Sequence, residues 1–237
     1  MAASHRDAAN SARDIYRHPA ETLEFFQFEE GLTVVEVAPG GGWYTEILAP
    51  ALGKNGKLYA AHHPADAERE YYRKSRKGFE EKIAADPQVY ASVVITNMAT
   101  GQQMAPPASA DLVLTFRNVH NWMKSATAQQ VFATMYAALK PGGLLGVVEH
   151  RAHPDTREPI MIQTGYVTES RVQRLAKDAG FEFVASSDIN ANPKDSHDHP
   201  KGVWTLPPRL ALGDEDRAKY FEIGESDRMT LLFRKPK

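Results

Sequence analysis

Short apolar runs alternate with longer amphipathic stretches along most of this chain. The first run, residues 34–38, is bounded by polar and glycine positions and reads as a buried strand. Trp43, Ile47, Leu48 and Ala51 then share one face of a helix over residues 42–52. A second strand, Lys57–His62, follows the Asn55-Gly56 turn. A charged helix over 67–85 carries Tyr72, Phe79 and Ile83 on one face, and a third strand covers 89–96. Beyond the Pro106-Pro107 loop come a strand at 111–116, a helix at 127–139 and a strand at 144–149. Pro141-Gly142-Gly143 is expected to stop that helix. A helix over 168–179 ends at Gly180, then strands span 181–189 and Arg228–Arg234. Ahead of all this, residues 8–28 read as two short helices broken near Pro19, because proline lacks an N–H and clashes with the preceding turn. Strands alternating with helices predict an α/β fold, a doubly wound parallel sheet covered on both faces.

The turn after the first strand is the most informative stretch. Glu36 lies near the strand's end, and Gly40, Gly41 and Gly42 follow before the helix. Glycines let a ligand approach the backbone, and a helix N-terminus offers unpaired N–H groups. A dinucleotide site places its acid about 20 residues after a G-x-G-x-x-G turn. Here Thr45 occupies the third glycine position and the acid precedes Gly40 by four residues. Glu36-Val-Ala-Pro-Gly40-Gly-Gly42 resembles the first motif of the class I S-adenosylmethionine (SAM)-dependent methyltransferases, with Ala38 in place of its first glycine. Alanine tolerates strand geometry, so the turn is expected to survive. DLVLTFRNVHNW and LKPGGLLGVVEH resemble that family's fourth strand with its active-site loop and its fifth strand. The resemblance spans about residues 32–185. It implies a Rossmann-like, seven-stranded, mostly parallel sheet whose last strand is antiparallel, with helices on both faces. Residues 1–30 then form a helical cap on a domain of 31–237, with a lid-like insertion at 190–213.

In doubly wound sheets ligands lie beyond the carboxyl ends of the strands. By resemblance, SAM is the cofactor and S-adenosylhomocysteine (SAH) the product. Gly40, Gly41 and Gly42, with Ala38, Pro39, Tyr44 and Thr45, surround the cofactor's amino-acid and ribose portion. Glu36 orients the loop or the ligand's ammonium. His62 stands where the family places an acid that grips the ribose hydroxyls, with His63 beside it. Asn97 or Met98 meets the adenine. Arg117 and Asn118 suit an anionic acceptor or the cofactor carboxylate. His120 is the first candidate for a general base, since imidazole titrates near neutrality, and His150 the second. Tyr16 and His18, in an N-terminal segment with Arg13 and Arg17, and Asn121, Trp122 and Trp204 are candidate substrate contacts.

Bulk properties change the picture little. A formal net charge of -2 supplies no global basic field, so a small-molecule substrate is expected and nucleic acid is not. The absence of cysteine removes disulfides and thiolate chemistry. No run approaches the ~20 apolar residues of a membrane span, and no apolar leader precedes residue 15. A cytoplasmic monomer or homodimer is expected, or a periplasmic one had a leader been removed. Asp195, His197, Asp198 and His199 carry metal-ligand chemistry without a known ligand spacing, so a polar loop is expected there and no metal. Two rival readings stay open: a SAM-binding sensor or scaffold that transfers no methyl, and a nicotinamide-dependent oxidoreductase.

Overall fold

A computed structural model describes residues 5–98 and 102–237. Its seven-stranded sheet has the order β3-β2-β1-β4-β5-β7-β6. The strands are β1 (Thr33–Val37), β2 (Lys57–His62), β3 (Val93–Asn97), β4 (Ala110–Phe116), β5 (Leu139–His150), β6 (Glu182–Ser187) and β7 (Arg228–Arg234). β1 pairs in parallel with β2 and β4, while β7 runs antiparallel to both β5 and β6. Both faces are buried, as strand alternation shows. Val34, Leu112 and Leu114 face one apolar cluster, with Leu48, Leu52 and Phe26. Val35, Val37 and Val113 face the other, with Phe132, Met135, Val172 and Leu175. A central parallel strand covered on both sides must be apolar at successive positions, which is why it reads as a run.

The helices are α1 (Ala8–Ser11), α2 (Asp14–Arg17), α3 (Pro19–Phe25), α4 (Thr45–Ala51), α5 (Glu70–Ala85), α6 (Val119–Lys124), α7 (Ala128–Ala138), α8 (Glu158–Thr164), α9 (Glu169–Asp178) and α10 (Arg217–Ile223). Local chemistry sets their ends. Pro19 starts α3 at the first helical position, where its missing N–H costs nothing. Thr168 caps α9 by accepting from the Arg171 amide, and Glu169 and Lys177 sit at the ends that suit their charges. Among the described residues no helix is long and apolar enough to cross a membrane.

The structure adds helices α6, α8 and α10, which the sequence pattern does not mark, and departs from expectation at three further points. The N-terminal segment forms three helices, not two: the expected break falls at left-handed His18 ahead of Pro19, and a further one at Ala12 and Arg13 separates α1 from α2. The third strand begins at Val93, not at 89, since residues 88–92 form turns. Pro141-Gly142-Gly143 lies inside β5: Gly142 N–H donates to Lys235 O, and Lys235 N–H donates to Gly143 O. The C-terminal segment thus gives this glycine stretch a strand partner that local pattern cannot reveal.

Candidate active site

The carboxyl ends of β1 and β4 open side by side, where strand order reverses. Here the chain places two left-handed non-glycine residues. Ala38 follows β1 at φ 55° and Arg117 follows β4 at φ 61°. The turn survives, but not because alanine keeps strand geometry. Ala38 leaves the strand after its N–H donates to Ala61 O, and it carries the steric cost of the left-handed region, roughly 1–2 kcal/mol. Ala38→Gly is expected to raise unfolding stability by about 1 kcal/mol, read from urea denaturation.

Gly40 and Gly42 also have positive φ. Under Gly42 lies Phe79, 3.1 Å from where a Cβ would stand; around Gly40 the same position is open. Glu36 is buried below the loop and accepts from Thr45 Oγ1 at 2.6 Å. Burial pushes its carboxyl up to about 7, against the Thr45 hydrogen bond and the Lys82 charge. His62 is also buried, and both its nitrogens are engaged. Nδ1 accepts from the His63 amide and Nε2 lies 3.2 Å from Gly40 O, where it donates. Its side chain props the glycine loop instead of facing the cleft. Desolvation holds His62 below the usual imidazole range and His63 at about 4.

Two cavities meet at this loop and share Ala38, Gly40 and Asn118. The larger, about 750 Å³, is lined by His63, Tyr72, Met98, Asn121, Trp122 and Trp204, among other residues. His63 stacks on Tyr72 at 3.8 Å between ring centres. Met98 therefore takes the cleft position, while the Asn97 amide oxygen accepts from Arg76. The smaller cavity, about 280 Å³, is charged. Glu36, Pro39, Gly41, Tyr44, Arg13, Arg17 and Arg117 contribute to its walls. Tyr44 stacks on Phe116, with ring centres 3.5 Å apart. Trp43, expected in the core, also lines this cavity, and Arg17 stands over its ring at 4.5 Å. Asn118 ties the two strand ends together by donating to Val37 O and Thr115 Oγ1.

Tyr16 and His18 line neither cavity, whereas Arg13 and Arg17 of the same segment do. Tyr16 instead offers its carbonyl to Arg228 at 2.7 Å and packs against Gly224.

His120, the second residue of α6, is buried and lines neither cavity itself, but its neighbours Asn121 and Trp122 line the larger one and its ring lies edge-on to cavity-lining Trp204 at 6.0 Å. Glu149, fully buried at the end of β5, holds it twice. One carboxylate oxygen lies 3.0 Å from His120 Nδ1, and the other accepts from the His120 amide. The His150 amide donates to the same carboxylate. His150 Nδ1 bonds Ser226 Oγ. Burial, His120 and the nearby arginines keep the His150 imidazole well below its ordinary range. His120, Glu149 and His150 also present donor atoms close enough to share an ion. Glu149 carries no local signal of this role beyond its place near the end of the LKPGGLLGVVEH stretch.

The 190–213 segment contributes Trp204 to the larger cavity and is tied to its surroundings through Asp195. Its buried carboxylate accepts from Tyr166 Oη and His199 Nε2, and from the amides of His197 and Asp227. His197 turns instead to Asp227 and His153, and Asp198 is exposed beside Ser196. Asp195 and His199 thus bond to each other, while the His197 ring and Asp198 turn elsewhere.

No protein-family model and no curated protein matches the chain. Solved structures do. A SAM-dependent methyltransferase from Aquifex aeolicus superimposes with a TM-score of 0.64 over 94% of this chain and 93% of its own, at 16% identity. Haemonchus contortus phosphoethanolamine N-methyltransferase 2, in complex with SAM, gives 0.61 over 94% and 53%, at 14% identity. The [4+2]-cyclase SpnF gives 0.66 over 100% and 86%, at 15% identity. The fold is that of the SAM-dependent methyltransferases. SpnF shows that this fold also serves other chemistry, so function must be argued from the site.

Proposed function

We propose that the chain is a SAM-dependent methyltransferase acting on a small-molecule acceptor. The observation that carries this reading is the pair of cavities meeting over the glycine loop. The larger, flanked by Met98, His63 and Tyr72, suits an adenosine end. The smaller, lined by the Glu36 carboxyl and three guanidiniums, suits a zwitterionic amino-acid end. Glu36 takes the ammonium and the arginines take the carboxylate. A dinucleotide would need the 3-2-1-4-5-6 order typical of its site, whereas here antiparallel β7 is inserted between β5 and β6.

In the transfer, the acceptor's lone pair attacks the sulfonium methyl, the carbon–sulfur bond breaks, and sulfur keeps the electron pair. An acceptor that arrives protonated passes its proton to His120 Nε2. The Glu149 carboxylate at Nδ1 favours the tautomer that leaves Nε2 free. A buried acid–imidazole pair beside the cleft favours catalysis over a sensor. His120→Ala is expected to lower turnover by roughly 10²–10⁴-fold while SAH affinity stays unchanged. A stopped assay over an acceptor panel, paired with SAH titration, checks both.

Proton linkage gives a second test. Free of ligand, folded Glu36 keeps its proton up to about pH 7. An ammonium bound beside it favours the ionised form. SAH affinity is therefore expected to rise as pH climbs through 7 and to level off above, with proton release at the lower pH. Glu36→Gln should bind weakly and lose that slope. Calorimetry in two buffers of different ionisation heat reads both effects.

A further inference from the structure

We infer that the methyl acceptor is itself an anion, carrying a carboxylate or phosphate group held by Arg13, Arg17 and Arg117. This rests on the methyltransferase reading. Four guanidiniums, those of Arg13, Arg17, Arg117 and Arg228, converge on the single carboxylate of Glu225. Among the described residues no other carboxylate lies within ion-pair distance of any of them. Arg13, Arg17 and Arg228 all donate to Glu225, and the field of the four arginines holds it at about 2 despite its burial. Arg228 completes its bonding on the carbonyls of Ser226 and Tyr16.

The other three line the charged cavity. Arg17 is 2% exposed, and its Nη1 is buried without a partner. Arg117 reaches Glu225 only at 3.7 Å, an ion-pair distance with no hydrogen bond. Burial, and then repulsion from Arg228 and Arg13, brings its guanidinium down to about 10, so it stays charged at neutral pH. Buried guanidiniums with free N–H groups are costly unless an oxyanion completes them. The cofactor brings one carboxylate, which neutralises only one of the uncompensated charges. Arg117 directly follows β4, shares the charged cavity with the glycine loop, and precedes His120 of α6 by three residues. A second oxyanion bound there would sit on the acceptor side, and a cationic amine would be repelled.

The test counts anions with the cofactor's carboxylate present and absent. Folded protein is saturated with SAH, or with methylthioadenosine, which lacks the amino-acid end. Each complex is titrated calorimetrically with inorganic phosphate and, separately, with benzoate at constant ionic strength. The expected result is one saturable anion per chain on the SAH complex and two on the methylthioadenosine complex. The tighter of the two probes names the acceptor's group. Arg117→Gln, or Arg13→Gln if the first misfolds, should weaken anion binding to the SAH complex at least tenfold. An SAH complex that takes no anion while the methylthioadenosine complex takes one would overturn the inference and leave the methyltransferase reading intact. Failure of SAH itself to bind would remove that reading, and the inference with it.

Discussion

Gly40→Val is expected to lower SAH affinity by roughly 100-fold or more, equivalent to about 2.7 kcal/mol. Two effects combine. Gly40 sits at φ 58°, where a β-branched side chain is strained. Nothing lies within 4 Å of the position a Cβ would take, so the added methyl groups stand in the open cleft where the two cavities join. The valine therefore displaces ligand before it disturbs protein packing. The loop is anchored from below through Gly40 O by His62, which the substitution leaves in place. Calorimetric titration with SAH, alongside urea unfolding, separates lost binding from lost fold. Undiminished affinity would place the cofactor elsewhere.

Asp195→Ala is expected to destabilise the protein by about 3–5 kcal/mol, the range for removing one partner of a buried charged network. The substitution strands Tyr166 Oη, the His199 imidazole and the amides of His197 and Asp227 in a buried place. Bonding to these donors holds the Asp195 carboxyl below its usual range despite desolvation. Its contribution is therefore fully present above the ordinary aspartate pKa and is lost as pH falls through the lowered one. Urea denaturation of wild type and variant at neutral pH should show the full difference, and the gap should narrow in acid. Because this network carries the segment that holds Trp204 over the larger cavity, the variant should also bind SAH less tightly.

The sheet was legible because a parallel strand buried on both faces spells itself as an apolar run, as β1, β2 and β4 do. The glycine loop was legible because its residues are contiguous and their chemistry is local. What stayed hidden depends on distance along the chain. Glu225 meets Arg13 and Arg17 across more than two hundred residues, and no local pattern links them. Glu149 reads as the polar end of a strand until α6 brings His120 against it. Helix α6 itself is a six-residue turn with no side-chain cap, too short for periodicity to mark. By resemblance, His62 stands where the family places a ribose-gripping acid. Only the fold reveals that its nitrogens are already committed to Gly40 and His63. Ala38 hid its left-handed backbone behind a residue type that ordinarily avoids it.

The most direct measurement is a crystal structure of the SAH complex. The expected result is one SAH per chain, with adenine beside Met98 and His63, its amino-acid end between Glu36 and the arginines, and its sulfur facing the His120 side of the cleft. Ordered SAH bound away from the Gly40–Gly42 loop, or lying across it with the adenine among the arginines, would contradict it.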